Sequence, residues 1–118
     1  MNILIVEDNE FRASSLKRAW RANTVVVATN FDETMLLLSI KFDWIMLDHD
    51  LGPGKTGLDI AKQIISSINK DTHVIIHSAN PVGSKNIHNV LPDTSIAISA
   101  VNTDLLVAEI DRCMEEGT

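Results

Sequence analysis

Cysteine is almost missing from these 118 residues: Cys113 stands alone, so no internal disulfide can staple the chain, and an unpaired thiol fits a reducing compartment. Three prolines and five glycines are too few for a fibrous or low-complexity chain, and no repeat or linker is found. Long apolar runs are missing as well. The opening MNILIV gives way at once to Glu7 and Asp8, too short for a signal peptide or a span, and no later run approaches the roughly 18 residues a membrane helix needs. A cytoplasmic protein away from membranes is therefore expected. Basic residues are in the minority, 10 Lys and Arg against 16 Asp and Glu for a net charge of −6, which excludes a broad surface for nucleic acid or anionic lipid. What is present, 45% hydrophobic and 22% charged residues, is the composition of a globular protein with one core and no room for a second module.

Five short apolar runs rich in β-branched residues recur at 3–6, 24–28, 44–47, 73–77 and 95–99. Continuous runs of this length suit strands buried on both faces of a parallel sheet. Helical spacing separates them. Leu16, Ala19 and Trp20 share a side of a helix expected over roughly 10–21. Leu58, Ala61, Ile65 and Ile68 share a face of another, as do Leu106, Ile110 and Cys113 in the last. Asn30 with Glu33 resembles a capping box; Thr103 or Asp104 is placed to start the final helix and Gly117 to end it. Strands alternating with helices imply a parallel sheet covered on both faces, whose ligands bind beyond the carboxyl ends of the strands.

Those ends carry the chemistry. The first strand ends in Glu7-Asp8-Asn9, the third in Asp48-His49-Asp50 and the fourth in His77-Ser78-Ala79-Asn80. Carboxylates from neighbouring strand ends suit a hard divalent cation, because Mg²⁺ wants oxygen ligands and a bare acid cluster repels itself. Asp50 adds a second carboxylate at the end of the third strand. His49 and His77 have side chains that titrate near neutral pH, although alternation puts His77 and Ser78 on opposite faces of their strand. His73 and His88 read as surface residues. Gly52, Gly54 and Gly57 read as turn residues beside the metal, since GPGKTG lacks the spacing of a phosphate loop.

With these residues in view the whole chain resembles the receiver domain of bacterial response regulators: Glu7 and Asp8 after ILIV, Asp48 after WIML, Gly57 beyond it, and Ser78-Ala79 after VII. The resemblance implies an α/β, flavodoxin-like (βα)5 fold with strand order 2-1-3-4-5 and helices on both faces, residues 1–118 forming one receiver-like domain without an output domain. It further implies Mg²⁺ (or Mn²⁺) held by Asp8, Asp48 and the backbone carbonyl of Asp50, with Glu7 acting through water. Asp48 would accept a phosphoryl group as an aspartyl phosphate in a phosphorelay, and Ser78 would donate to a phosphoryl oxygen. Two features of the family are missing. Strand five reads IAISAVNTD, without the usual lysine, and Ile96 and Ile98 stand where an aromatic switch residue is usual in a chain with no tyrosine. Lys55 and Lys85, the latter in a turn PVGSKN, are the candidates to replace that cation.

DHDLG and HSANPVG together are similar to the cyclic-phosphate processing receiver domains of bacteria and phages. That resemblance implies a phosphate-containing small molecule or an RNA end as ligand. It adds Asp50, His49, His77 and Asn80 to Asp48 and Ser78 as candidate catalytic residues. Asp-x-Asp is also similar to the haloacid dehalogenase-type phosphatases. A metal-dependent phosphoesterase acting on cyclic phosphates, a phospho-accepting signalling module meeting a kinase or another protein through its helix-four and strand-five face, and a non-catalytic binding scaffold all remain open at this level.

Overall fold

In the computed structural model, which describes residues 1–51, 54–78, 80–99 and 102–116, five strands alternate with five helices. In chain order they are β1 Asn2–Val6, α1 Glu10–Ala19, β2 Thr24–Ala28, α2 Phe31–Leu37, β3 Trp44–Asp48, α3 Gly57–Ile65, β4 His73–His77, α4 Pro81–Val90, β5 Ser95–Ile98 and α5 Thr103–Glu116. All pairings are parallel, in the order β2-β1-β3-β4-β5. Gly52, Ala79 and Gly117 lie outside the described residues.

The strands are apolar along most of their length because each side of the sheet is covered. Leu4, Val6, Ile45, Leu47, Val74 and Ile76 point to one face and meet Leu38, Ile60, Ala61, Ile64 and Ile87. Ile3, Ile5, Trp44, Met46, Ile75 and Ile98 point to the other and meet Leu16, Trp20, Leu106, Ile110 and Cys113. Alternation along the three central strands therefore sorts residues between two cores instead of between core and solvent. The sheet edge at β5 is thinner, with Ile96 and Ala97 exposed between buried Ser95 and Ile98.

Several local expectations shift. On α3 the buried stripe is Gly57, Ile60, Ala61 and Ile64, while Ile65 and Ile68 are exposed. The i, i+3, i+4, i+7 set follows the helix face under the sheet, and the turn after Ile65 takes Ile68 out of the helix. On α1 it is Ala13, Leu16 and Trp20 that are buried, and Ala19 is exposed. PVGSKN is no turn: Pro81 opens α4, where its missing N–H goes unneeded, and the segment forms the first turns of that helix.

Asparagines set four of the helix starts. Asn9 accepts from Arg12 N, Asn30 from Glu33 N, Asn80 from Gly83 N and Asn102 from Leu105 N, each at 2.9 or 3.0 Å. Asn102, and neither Thr103 nor Asp104, caps α5. Glu33 reaches back to Thr29 N (2.7 Å), one residue short of closing a capping box on Asn30. These caps bring helix N-termini to the carboxyl edge of the sheet. At the opposite edge, buried Asn69 accepts from Phe42 N (2.8 Å) and donates to the carbonyls of Leu38 (3.1 Å) and Ile40 (2.8 Å). His73 stacks on Trp44 with ring centroids 4.8 Å apart, and His88 Nδ1 lies 2.7 Å from Ser95 Oγ. Both histidines are structural contacts at that edge.

Candidate functional site

Register brings three ionisable residues together. Asp48 pairs with His77, and β1 runs alongside β3 with Val6 opposite Leu47. Glu7, Asp48 and His77 thus continue the rows of Ile5, Met46 and Ile75 on the face covered by α1 and α5. They are buried, at 0%, 3% and 2% exposure. Asp8 is exposed at the rim. Carboxylate oxygens of Glu7, Asp8 and Asp48 all lie within 4.8 Å of one another.

Close packing of the neighbouring loops makes this possible. Gly57 donates its N–H to His49 O at 2.9 Å, and a Cβ there would stand 2.3 Å from Asp48 O. Only glycine lets α3 start directly against the end of β3. Likewise a Cβ on Gly83 would meet His49 Cγ at 2.6 Å, so the His49 ring rests on the bare backbone of α4.

Each acid is held differently. Glu7 accepts from Arg12 Nη1 at 3.0 Å and from Asn9 N at 3.2 Å, and its Oε1 lies 3.7 Å from His77 Nδ1. Asp48 accepts from Asp50 N at 3.1 Å. Burial, followed by the hydrogen bond to Glu7 and its like charge, pushes the Asp48 carboxyl up to about 8, against the opposing pull of the Asp50 amide and Arg12. Burial, then the charge of Arg12, brings His77 down to about 3, so its ring is neutral. Among the described residues His77 Nε2 is a buried polar atom without a hydrogen-bond partner, the kind of group that calls for an explanation.

A second tier lies outside this cluster. Asp50, at 58% side-chain exposure, bridges two strand ends: Oδ1 is 3.1 Å from His49 Nδ1 and Oδ2 accepts from Ser78 Oγ at 3.1 Å. Ser78 Oγ in turn accepts from Asn80 N at 3.0 Å. The Asn80 side-chain oxygen is occupied as the α4 cap. The exposed carboxylate is the group here best placed to exchange a proton with solvent.

The strand-end acids, His77 and Ser78 are thus brought to one edge, with His77 turned toward Glu7. Of the candidate cations, Lys55 Nζ sits 5.5 Å from the centroid of the Phe31 ring, and Lys85 is exposed on α4. Among the described residues, the Lys or Arg side chain that bonds this cluster is Arg12, through Glu7, and sequence reasoning missed it. Its signal was there, in the third helical position after the Asn9 cap, where a long side chain at a helix start reaches back over the preceding strand end. The donor set fits a hard divalent ion: it is all oxygen, and its carboxylates crowd within 4.8 Å of one another, a like-charge cluster that such an ion would neutralise.

An open parallel sheet wound 2-1-3-4-5 with acids at the ends of its first and third strands defines a response-regulator receiver domain. The chain belongs to the cyclic-phosphate processing receiver domain family, whose model matches residues 2–93. Similar solved structures include the phosphorylated cyanobacterial phytochrome response regulator RcpA (22% identity, 97% of this chain and 91% of that one, TM-score 0.79). A CheY-like response regulator receiver domain protein from Methanospirillum hungatei JF-1 is similar at 22% identity, covering 98% of this chain and 94% of that one, with a TM-score of 0.75. A response regulator from Burkholderia pseudomallei with a phosphorylated aspartic acid, a calcium ion and citrate is 24% identical over 94% of this chain and 71% of that one, with a TM-score of 0.72. At these identities the likeness is one of fold. No curated protein matches the sequence. Among the described residues no helix is long and apolar enough to cross a membrane.

Proposed function

We propose that this receiver domain uses its strand-end pocket to bind a divalent cation, Mg²⁺ or Mn²⁺, and to process a cyclic phosphate ester. The observation that carries the reading is the two-tier arrangement: carboxylates of Glu7, Asp8 and Asp48 within 4.8 Å of one another, and beside them an exposed Asp50 tied to both His49 and Ser78. A cation on the inner acids would supply charge stabilisation to the phosphoryl oxygens. Asp50 then takes a proton from water as its oxygen bonds to phosphorus, and His49, against the same carboxylate, passes a proton to the departing ester oxygen as its bond to phosphorus breaks. Ser78, whose one hydroxyl proton goes to Asp50 in the free protein, turns it to a phosphoryl oxygen as Asp50 takes up the proton from water. Ring opening therefore consumes one water and yields a monoester.

A phosphorus-31 NMR time course of the protein with Mg²⁺ or Mn²⁺ and a panel of 2′,3′-cyclic and 3′,5′-cyclic nucleotides tests this. Conversion of at least one substrate to a monoester, abolished in Asp50→Asn, is expected. An untouched panel, beside a phosphodiesterase control that cleaves it, would refute the reading.

A second reading is that Asp48 accepts a phosphoryl group: the similar Burkholderia pseudomallei response regulator carries a phosphorylated aspartic acid, and the similar RcpA is phosphorylated. A kinase or other partner at the α4 and β5 face belongs to that reading. A mass gain after exposure to a small phosphodonor and Mg²⁺, lost in Asp48→Asn, would favour it. The missing strand-five lysine weighs against it, since β5 ends at Ile98, opposite His77.

A further inference from the structure

The inner acids leave one question of charge. A phosphate ester arriving beside buried carboxylates needs a cation besides the metal, and strand five provides none. Lys55 lies over Phe31, and Lys85 is exposed on α4. Resting on the phosphate-pocket reading above, we infer that Arg12 is the phosphate-binding cation of this site, taking from α1 the part that a strand-five lysine would play.

Four observations support the assignment. Arg12 Nη1 is fixed to the fully buried Glu7 at 3.0 Å, so the guanidinium is held beside the acid cluster instead of ranging through solvent. The side chain keeps 39% of its surface exposed, which leaves the other donors of the fork available to a ligand. Its anchor Glu7 has a carboxylate oxygen within 4.8 Å of those of Asp8 and Asp48, so the guanidinium is tied to the acid cluster itself. Finally, Glu7 already gives Oε1 to Arg12 and Oε2 to the Asn9 amide. Glu7 therefore serves as the anchor of the arginine, and Asp8 and Asp48 are the acids left freer for the metal. An arginine also differs from the usual lysine in chemistry, since its planar fork can grip two oxygens of one phosphate at once. That suits a phosphodiester, whose two free oxygens are presented side by side.

The test measures two affinities on the full chain: Mg²⁺ alone by calorimetric titration, and inorganic phosphate at saturating Mg²⁺ by phosphorus-31 line broadening. Arg12→Gln keeps a hydrogen-bonding group for Glu7; it should weaken phosphate binding about ten- to a hundredfold, the loss of a charge-assisted bond, and change Mg²⁺ affinity by no more than about threefold. Arg12→Lys should recover part of the phosphate affinity, and thermal melts report whether each variant is folded. If Arg12→Gln fails to fold, Arg12→Lys carries the test, with an intermediate phosphate affinity expected. Wild-type phosphate affinity in a folded Arg12→Gln overturns the inference and leaves the pocket reading intact. So does an equal loss of Mg²⁺ and phosphate affinity, or a larger phosphate loss in Lys55→Gln or Lys85→Gln. A wild-type protein that binds Mg²⁺ without phosphate, or binds neither, overturns the pocket reading and the inference with it.

Discussion

Asp48→Asn in the metal-free protein should raise stability at alkaline pH, because it removes half of a buried like-charge pair. The Asp48 carboxyl is pushed from its ordinary 3.8 up to about 8, first by burial and then by Glu7. The folded state therefore holds this proton more tightly than the unfolded one. Its stabilising effect is full below pH 3.8 and is lost as the pH rises to about 8. At about 1.4 kcal/mol per tenfold in proton affinity, the ceiling on that loss is roughly 6 kcal/mol. Solvent at the exposed rim around Asp8 screens the acids, so roughly 3 kcal/mol is expected. His77 runs the other way: held neutral with a value near 3, it contributes stability above pH 6.5 that is lost as the pH falls. Both variants carry it, so it cancels in their difference. Urea unfolding in EDTA at pH 5, 7 and 9 measures that difference. The asparagine variant should gain on the wild type by about 2 kcal/mol between pH 5 and 9, since the first part of the loss lies below pH 5. Adding Mg²⁺ should then stabilise the wild type at pH 9 and leave Asp48→Asn nearly unmoved. A difference that stays flat across this range, or equal stabilisation of both proteins by Mg²⁺, would refute the reasoning.

Gly57→Ala should cost about 3 kcal/mol, since its Cβ would meet the Asp48 carbonyl and the His49 backbone at 2.3 and 2.9 Å; denaturant midpoints check this, and a loss under about 0.5 kcal/mol would contradict it. Asn69→Ala strands the Phe42 amide and the Leu38 and Ile40 carbonyls and should cost about 3 to 5 kcal/mol by the same assay, far from any effect on Mg²⁺ affinity. Gly83→Ala should displace the His49 ring from α4, breaking its 3.1 Å contact with Asp50; imidazole NMR shifts that match the wild type would show that the ring is not seated there.

Much of the fold was legible because a doubly covered parallel sheet writes itself as short apolar runs separated by helical spacing. Glu7, Asp8 and Asp48 were legible for a related reason: each stands where such a run meets charge, and the ends of parallel strands converge. Asn80 shows the limit of local reading, since its position beside Ser78 suggested chemistry while its side-chain oxygen is occupied in starting α4. The α3 stripe shows another limit, because several apolar residues fit helical spacing and only the sheet beneath selects Ile60 and Ile64 over Ile65 and Ile68.

Sequence by itself determined the element order and the residue types at the strand ends, both properties of the chain read locally. Tertiary structure decided which direction meets which partner. His77 turns to Glu7 because β4 pairs with β3 in a register that sets it beside Asp48. Arg12 meets Glu7 because α1 packs, through Leu16, on the face where Glu7 is buried. Both outcomes depend on contacts between segments far apart in the chain, and the free energy of those contacts exists only once the sheet has assembled and closed its two faces.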